Sequence, residues 1–272
     1  MSQDRVAITS LQNERVKLIR SLEMRKARRD TGLFVAEGAS ILVTAREAGF
    51  APRMLVVLAD THYDNPIQRG LMAWASKVGA EVLDVSAAVL AKLAAKENPQ
   101  TVMGVFEQRF AEPPKSGECA RDDVWLVLEE VRDPGNLGTI LRTVEAVGAK
   151  GVILVGQCCD PYSREAVRAT MGSIFTVPLV RMERVAFLDW AKAWPGDVVG
   201  THLEGREDFR AVTPKGPALL VMGSEGPGMS VEVKDACTKL VRIPMAGRLD
   251  SLNLAVATAL TLYQMRGPQL HV

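Results

Sequence analysis

Apolar residues recur along the chain either in short continuous runs or at three-to-four-residue spacing, and the alternation of the two patterns predicts strands separated by helices. Over residues 11–29, LQNERVKLIRSLEMRKARR, Leu11, Val16, Ile19 and Leu22 fall at helical spacing, with Ser10 or Asn13 placed to cap the start. The runs LFVAEG (33–38) and PRMLVVLAD (52–60) predict strands, the second with Pro52 at its edge, and ASILVTAREAG between them predicts a helix ended by Gly49. A helix over 66–78, a strand at EVLDV (81–85), a helix at VLAKLAAK (89–96) and a strand at TVMGVFEQ (101–108) complete a small α/β unit.

Residues 109–123, RFAEPPKSGECARDD, carry Pro, Gly, Ser and charge with no apolar period, the composition of a linker. From Val124 the pattern restarts with stronger strands: VWLVLEEV (124–131), GVILVG (151–156), IFTVPLV (174–180), DVVGTHL (197–203), ALLVMG (218–223) and KLVRIPM (239–245). Helical stretches such as GTILRTVEAVG (138–148) separate them. Strands that are apolar without interruption belong to a sheet covered on both faces, which points to parallel pairing. The expected architecture is therefore α/β in two domains, residues 1–108 and 124–272, joined by the linker.

Composition narrows the chemistry mainly by exclusion. The 272 residues are 47% hydrophobic and 24% charged with a net charge of +1, so any nucleic-acid surface has to be local. No run approaches the roughly 18 apolar residues that span a bilayer, and Asp4 and Arg5 interrupt the N-terminus, so a cytoplasmic protein without a membrane segment is expected. Cys119, Cys158, Cys159 and Cys237 lack paired CxxC spacing and the only histidines are His62, His202 and His271, which argues against a metal centre and for unpaired thiols. No GxSxG accompanies those histidines, which disfavours serine hydrolase chemistry.

One stretch does concentrate charge. Residues 1–30 hold eight basic side chains against four acidic ones, densest at Arg25, Lys26, Arg28 and Arg29. Such a run is either a solvated helix face or a phosphate-binding surface, and charge alone does not separate the two.

Three segments share a strand, a polar turn and a helix: 129–154, 219–230 and 241–263. In the first, Asn136 sits on a Pro-Gly turn and Arg142 lies six residues on, so the two can converge only near the helix N-terminus. In the third, Ser251 and Asn253 open a helix, where simple capping accounts for either one taken alone. The glycine turn of the second can present main-chain amides to a ligand, yet it matches neither GxGxxG nor GxxxxGK[ST].

Taken together, NLGTILRT (136–143), VMGSEGPGMS (221–230) and IPMAGRLDSLNLAVA (243–257) resemble the three motifs of the SpoU (TrmH) family of RNA methyltransferases, within the SPOUT superfamily. The resemblance covers about residues 124–266 in order, and residues 5–108 are similar to the small α/β substrate-binding module fused ahead of many members. It implies a C-terminal parallel-sheet domain with a deep trefoil knot, a topology that connection rules alone disfavour. It implies S-adenosylmethionine as cofactor, held largely through main chain at Gly223, Ile243 and Leu252 with Thr201 and Leu203 as further lining. It carries over Asn136, Arg142, Glu225, Ser251 and Asn253 as the catalytic set, all five unsubstituted.

The implied reaction is attack of an RNA ribose 2′ oxygen on the sulfonium methyl, with alignment supplying much of the acceleration. Proposals for the family make Arg142 the base; a guanidinium with a pKa above about 12 is a poor proton acceptor, so phosphate anchoring fits it better. An RNA substrate raises Arg25, Lys26, Arg28 and Arg29 as phosphate contacts, with Arg164 and Arg168 as further candidates. Ribosomal RNA is favoured over tRNA because a whole domain precedes the catalytic one; a tRNA enzyme, a base methyltransferase and a non-catalytic RNA-binding protein of the same fold are the alternatives. A homodimer is implied, with the apolar helix around Leu254–Met265 as its interface, although core packing accounts for the same residues equally well.

Overall fold

The computed structural model of the chain describes residues 6–59, 65–94 and 101–271, so His62, Asp4, Arg5 and the end of the expected 89–96 helix lie outside the described residues. Along the first 108 residues run β1 (Val6–Ile8), α1 (Glu14–Ser21), α2 (Arg25–Thr31), β2 (Leu33–Glu37), α3 (Ala39–Glu47), β3 (Met54–Leu58), α4 (Pro66–Lys77), β4 (Glu81–Val85), α5 (Ala87–Leu93) and β5 (Val102–Glu107). The strands form one sheet in the order β1-β4-β3-β5-β2, parallel from β1 to β3 and antiparallel where β5 pairs with β3 and with β2. Val16, Ile19 and Leu22 pack into a core with Val35, Val56, Leu83 and Val105, which is the apolar stripe read from the sequence.

The single helix expected over 11–29 is two. Met24 adopts an extended backbone between them, and the buried Arg28 donates through Nη1 to the carbonyls of Leu22 and Glu23 at 2.7 and 2.8 Å. A side chain from the second helix thus satisfies carbonyls that end the first, so the break leaves them bonded.

After β5 come β6 (Val124–Glu129), α6 (Pro134–Ala146), β7 (Gly151–Val155), α7 (Arg164–Thr170), β8 (Leu179–Met182), α8 (Arg184–Ala191), β9 (Asp197–Thr201), β10 (Glu207–Asp208), β11 (Ala218–Met222), α9 (Val231–Asp235), β12 (Lys239–Arg242) and α10 (Leu254–Arg266). Seven strands make one sheet in the order β10-β12-β9-β11-β6-β7-β8, and every pairing in it is parallel. Every residue of β6, β7 and β11 is buried, the mark of a sheet covered on both faces. Trp125, Val127, Ile153 and Val221 pack with Phe187 of α8 and Val233 of α9, while α6 and α10 pack on each other and on the sheet.

The expected strand IFTVPLV starts later than its apolar run. Ser173–Phe175 form a single 3₁₀ turn, Pro178 precedes the ladder, and β8 begins at Leu179. Contacts divide the chain into one compact unit of residues 1–108 with 160–176 and a second of 109–159 with 177–272. Residues 160–176 belong with the first unit because Tyr162 and Phe175 enter its aromatic cluster, with ring centroids 4.6 and 5.8 Å from that of Phe34. Among the described residues, no helix is long and apolar enough to cross a membrane.

Candidate active site

In the all-parallel sheet the C-terminal ends of neighbouring strands open on one edge. The chain winds from β6 outward through β7 to β8, then returns to build β9, β11 and β12 on the other side. The connections leaving β6 and β11 therefore diverge, and the crevice between them is where ligands bind in folds of this type. The turn after β6 begins α6 with Asn136, and the turn after β11 is the glycine loop with Glu225.

Three side chains from the three motifs are joined there. Asn253 caps α10, its Oδ1 accepting from the Ala255 and Val256 amides at 2.9 and 3.2 Å. That cap turns its Nδ2 toward Asn136 Oδ1, to which it donates at 3.0 Å, and Asn136 Nδ2 in turn donates to Glu225 Oε1. Because a helix amide can only donate, the cap dictates which way both carboxamides point. Capping and site-building are thus one role for Asn253. The main chain of Asn136 is held as well, since the α6 cap Asp133 accepts from its amide at 2.6 Å and Pro134 occupies the first helical turn.

The glycine loop closes on itself: Ser224 and Gly228 exchange main-chain hydrogen bonds at 3.1 and 3.0 Å. Gly223 is required by that closure, because a Cβ there would lie 2.2 Å from the Gly228 carbonyl carbon and the Met229 nitrogen. Beneath the loop lies a carboxylate that sequence reasoning missed. Glu129, buried at the end of β6, accepts from Ser230 N and Oγ at 2.8 and 2.6 Å and from Arg184 Nε at 2.8 Å. Arg184 Nη2 also reaches Glu130 at 2.8 Å, and Glu130 sits in the left-handed region at φ 50°. In the sequence Glu129 reads only as the tail of an apolar strand; a charged residue in such a run, before a turn, was the available signal.

The remaining residues singled out from the sequence are placed differently. Ser251 is exposed and its Oγ donates to Asp250 at 3.2 Å, away from the Asn136 chain. Arg142 lies on the exposed face of α6, with no side-chain partner among the described residues. Six residues turn a helix by about 240°, so it faces away from Asn136. Thr201, Gly223 and Ile243 end or directly follow β9, β11 and β12, three adjacent strands. Thr201 Oγ1 is buried with no hydrogen-bond partner among the described residues, an orphaned polar atom at the mouth of the site. Leu203, two residues after Thr201, and Leu252, between Ser251 and Asn253, are exposed, apolar surface that a ligand would cover. A main-chain edge, a glycine with no room for a side chain, an unsatisfied hydroxyl and two open leucines fit a nucleoside-like ligand held mainly by backbone.

In the first unit the basic residues also separate. Arg28 is 4% exposed and its Nε pairs with Asp160 at 2.8 Å; Arg164 pairs with Glu37 at 2.6 Å. Both guanidinium groups are engaged in holding residues 160–176 to the unit, which removes Arg28 from the set of phosphate contacts. Arg25, Lys26, Arg29 and Arg168 are exposed.

The SpoU rRNA Methylase family matches residues 123–263, and the MRM3-like substrate binding domain matches residues 13–104. A tRNA/rRNA methyltransferase of Synechocystis, itself uncharacterised, is 32% identical over 99% of this chain and 96% of its own. A 23S rRNA (uridine(2479)-2′-O)-methyltransferase of Streptomyces viridochromogenes is 32% identical over 88% of this chain and 84% of its own. The crystal structure of an AdoMet-bound rRNA methyltransferase from Sinorhizobium meliloti is similar with a TM-score of 0.88 and 41% identity, covering 97% of this chain and 98% of that one.

Proposed function

The chain belongs to the SpoU rRNA methylase family, and from that premise we propose that it transfers a methyl group from S-adenosylmethionine to a ribose 2′ hydroxyl of ribosomal RNA. The observation that carries the reading is the hydrogen-bonded chain Asn253–Asn136–Glu225, which ties all three motifs together at the crevice between β6 and β11. The reading assigns chemistry to residues 124–272 and RNA holding to residues 1–108, and it keeps the trefoil knot expected of the C-terminal domain. A ribosomal substrate also places the protein in the cytoplasm.

When bound, the cofactor supplies an electrophilic sulfonium methyl. Thr201, Gly223 and Ile243 at the strand ends, with Leu203 and Leu252, would hold it. Asn136 and Asn253 present fixed amide N–H groups that orient the ribose, and Glu225, its Oε1 already engaged by Asn136, keeps that amide in register. Positioning of this kind is where a transfer with one nucleophile and one carbon gains most of its rate. Ser251 and Arg142 stand apart from that chain and keep the expected roles of hydrogen bonding and phosphate anchoring, and the 2′-hydroxyl proton leaves to water or to Glu225.

A homodimer is part of the same reading. Val256, Leu260 and Tyr263, spaced by four and three residues on α10, are 49%, 41% and 51% exposed and form one unpartnered apolar stripe. Arg142 lies on α6, which packs against α10, so a partner seated on this stripe would meet it. Leu260→Glu should shift the protein to monomer in light scattering; an unchanged mass would remove this interface.

The deciding experiment supplies labelled S-adenosylmethionine and ribosomal RNA transcripts and analyses the nucleosides produced. A 2′-O-methyl nucleoside is expected. Methyl on a base would convert the reading to a base methyltransferase, and no transfer to any RNA would leave an RNA-binding protein of the same fold. Arg142→Lys with full turnover would end the specific role given to its guanidinium.

A further inference from the structure

A second basic site lies wholly within the first unit, apart from the Arg25–Arg29 cluster. An open pocket of about 400 Å³ is lined by Lys17, Arg20, Ser21 and Glu23 from α1 and its end, Lys92 of α5 and Arg164 of α7. Lys17 and Arg20 stand three residues apart and so share one helix face. Four cations thus surround one space with a single carboxylate, Glu23, in its wall.

The cations are of two kinds. Arg164, with its side chain 8% exposed, is fixed from behind by Nη1, which donates to Glu37 and to the Leu93 carbonyl, while Nε lies 2.9 Å from Glu23 Oε1 in the pocket wall without a hydrogen bond. Its Nη2 has no hydrogen-bond partner among the described residues, which is costly for a buried guanidinium unless a ligand or solvent completes it. A neighbouring cavity of about 20 Å³ beside Glu37, Arg164 and Arg168 has room for one water and for nothing larger. Arg20 and Lys92, by contrast, are exposed with no side-chain partner among the described residues, while Lys17 leans on Glu14 at 2.8 Å. A rigid guanidinium at the back with exposed cations in front is an arrangement that can hold a tetrahedral oxyanion.

We propose that this pocket binds a backbone phosphate of the substrate RNA, through Lys17, Arg20, Lys92 and Arg164. The proposal rests on the RNA methyltransferase reading. A polymeric anion is favoured over a free one because α2, with exposed Arg25, Lys26 and Arg29, begins four residues after α1 ends, so cations on both helices can meet successive phosphates of one strand.

The test uses the full chain with the double substitution Arg20→Gln and Lys92→Gln, which leaves the ion pairs of Lys17 with Glu14 and of Arg164 with Glu23 and Glu37 intact. RNA affinity is measured against salt by fluorescence anisotropy, cofactor affinity by calorimetry, and binding of inorganic phosphate by ³¹P line broadening. The expected result is about a tenfold weaker RNA complex with the salt slope lowered by about 1–2, as for loss of two phosphate contacts, and unchanged cofactor affinity. An unchanged RNA affinity and slope overturns the proposal, even if inorganic phosphate still binds at the pocket. The two readings fail separately: a wild-type chain that transfers no methyl to RNA overturns the enzymatic reading, whereas the pocket is judged by binding and salt slope alone.

Discussion

Each unit of the molecule pairs arginine with carboxylate where at least one partner lies out of solvent, and the two networks serve different ends. In the first unit Arg28–Asp160 and Arg164–Glu37 tie α7 and its flank to α2 and β2, so the network holds distant chain segments together. In the second unit Glu129 and Arg184 meet Ser230 at the base of the glycine loop, so a network of similar chemistry fixes a loop at the open edge of a parallel sheet. A buried pair contributes little net stability over an apolar replacement, but breaking one partner is costly. What the pair controls therefore depends on what it is attached to: chain segments in one case, the geometry of a site in the other.

Substitutions tell the two networks apart. The largest effect is expected at Gly223→Ala, because the added Cβ meets main chain at 2.2 Å and the loop cannot keep its closure. Cofactor binding measured by calorimetry should be lost while the urea midpoint changes little; retained affinity would mean that the loop adapts and that Gly223 is not required. Arg28→Ala should cost roughly 3 kcal/mol in urea unfolding, since it leaves the largely covered Asp160 carboxylate with only the Tyr162 amide, whereas Arg29→Gln on the same helix should stay within about 0.5 kcal/mol. Equal costs would erase the distinction between the buried and exposed members of the basic cluster.

Glu129→Gln keeps the shape but weakens the acceptor for Ser230 and Arg184. Here kcat should fall by about tenfold, with KM for RNA unchanged and activity partly restored by Glu129→Asp, because the residue acts through the loop and not on the substrate. A change confined to stability would demote it to a fold element. The smallest effect concerns Cys237, whose thiol burial, with help from nearby Glu129, pushes its pKa up to about 12. A thiol kept neutral in the folded state stabilises below the unfolded value near 9, and that contribution is lost as pH rises toward 12. Unfolding free energy should fall over that window and fall less in Cys237→Ala, and Cys237 should resist alkylation at pH 8.

Much of the second unit was legible because its signals are local. Continuous apolar runs marked β6, β7, β9, β11 and β12, and glycine, proline and asparagine marked the turns that follow them. The two-residue β10 carries no such run and was missed. In the first unit, the helix over 11–29 kept its apolar stripe but not its continuity, because the break depends on Arg28 folding back on Leu22 and Glu23. The Ile174–Phe175 pair read as strand since aromatic and β-branched residues suit one, yet those side chains are claimed by Phe34 and Phe106.

The periodic elements, the parallel second sheet and the three motif segments with their polar residues are legible along the chain, since each depends on neighbours within a few positions. Which of those polar residues meet is set by the packing of the chain. Asn136, Glu225 and Asn253 lie up to 117 positions apart and converge because parallel strands deliver their following turns to one edge, while Arg142 and Ser251 on the same segments do not join them. Packing decides likewise that Arg28 is structural and that Arg25 and Arg29 face solvent. Charge is written in the sequence, but burial and the partners of each guanidinium are properties of the packed chain.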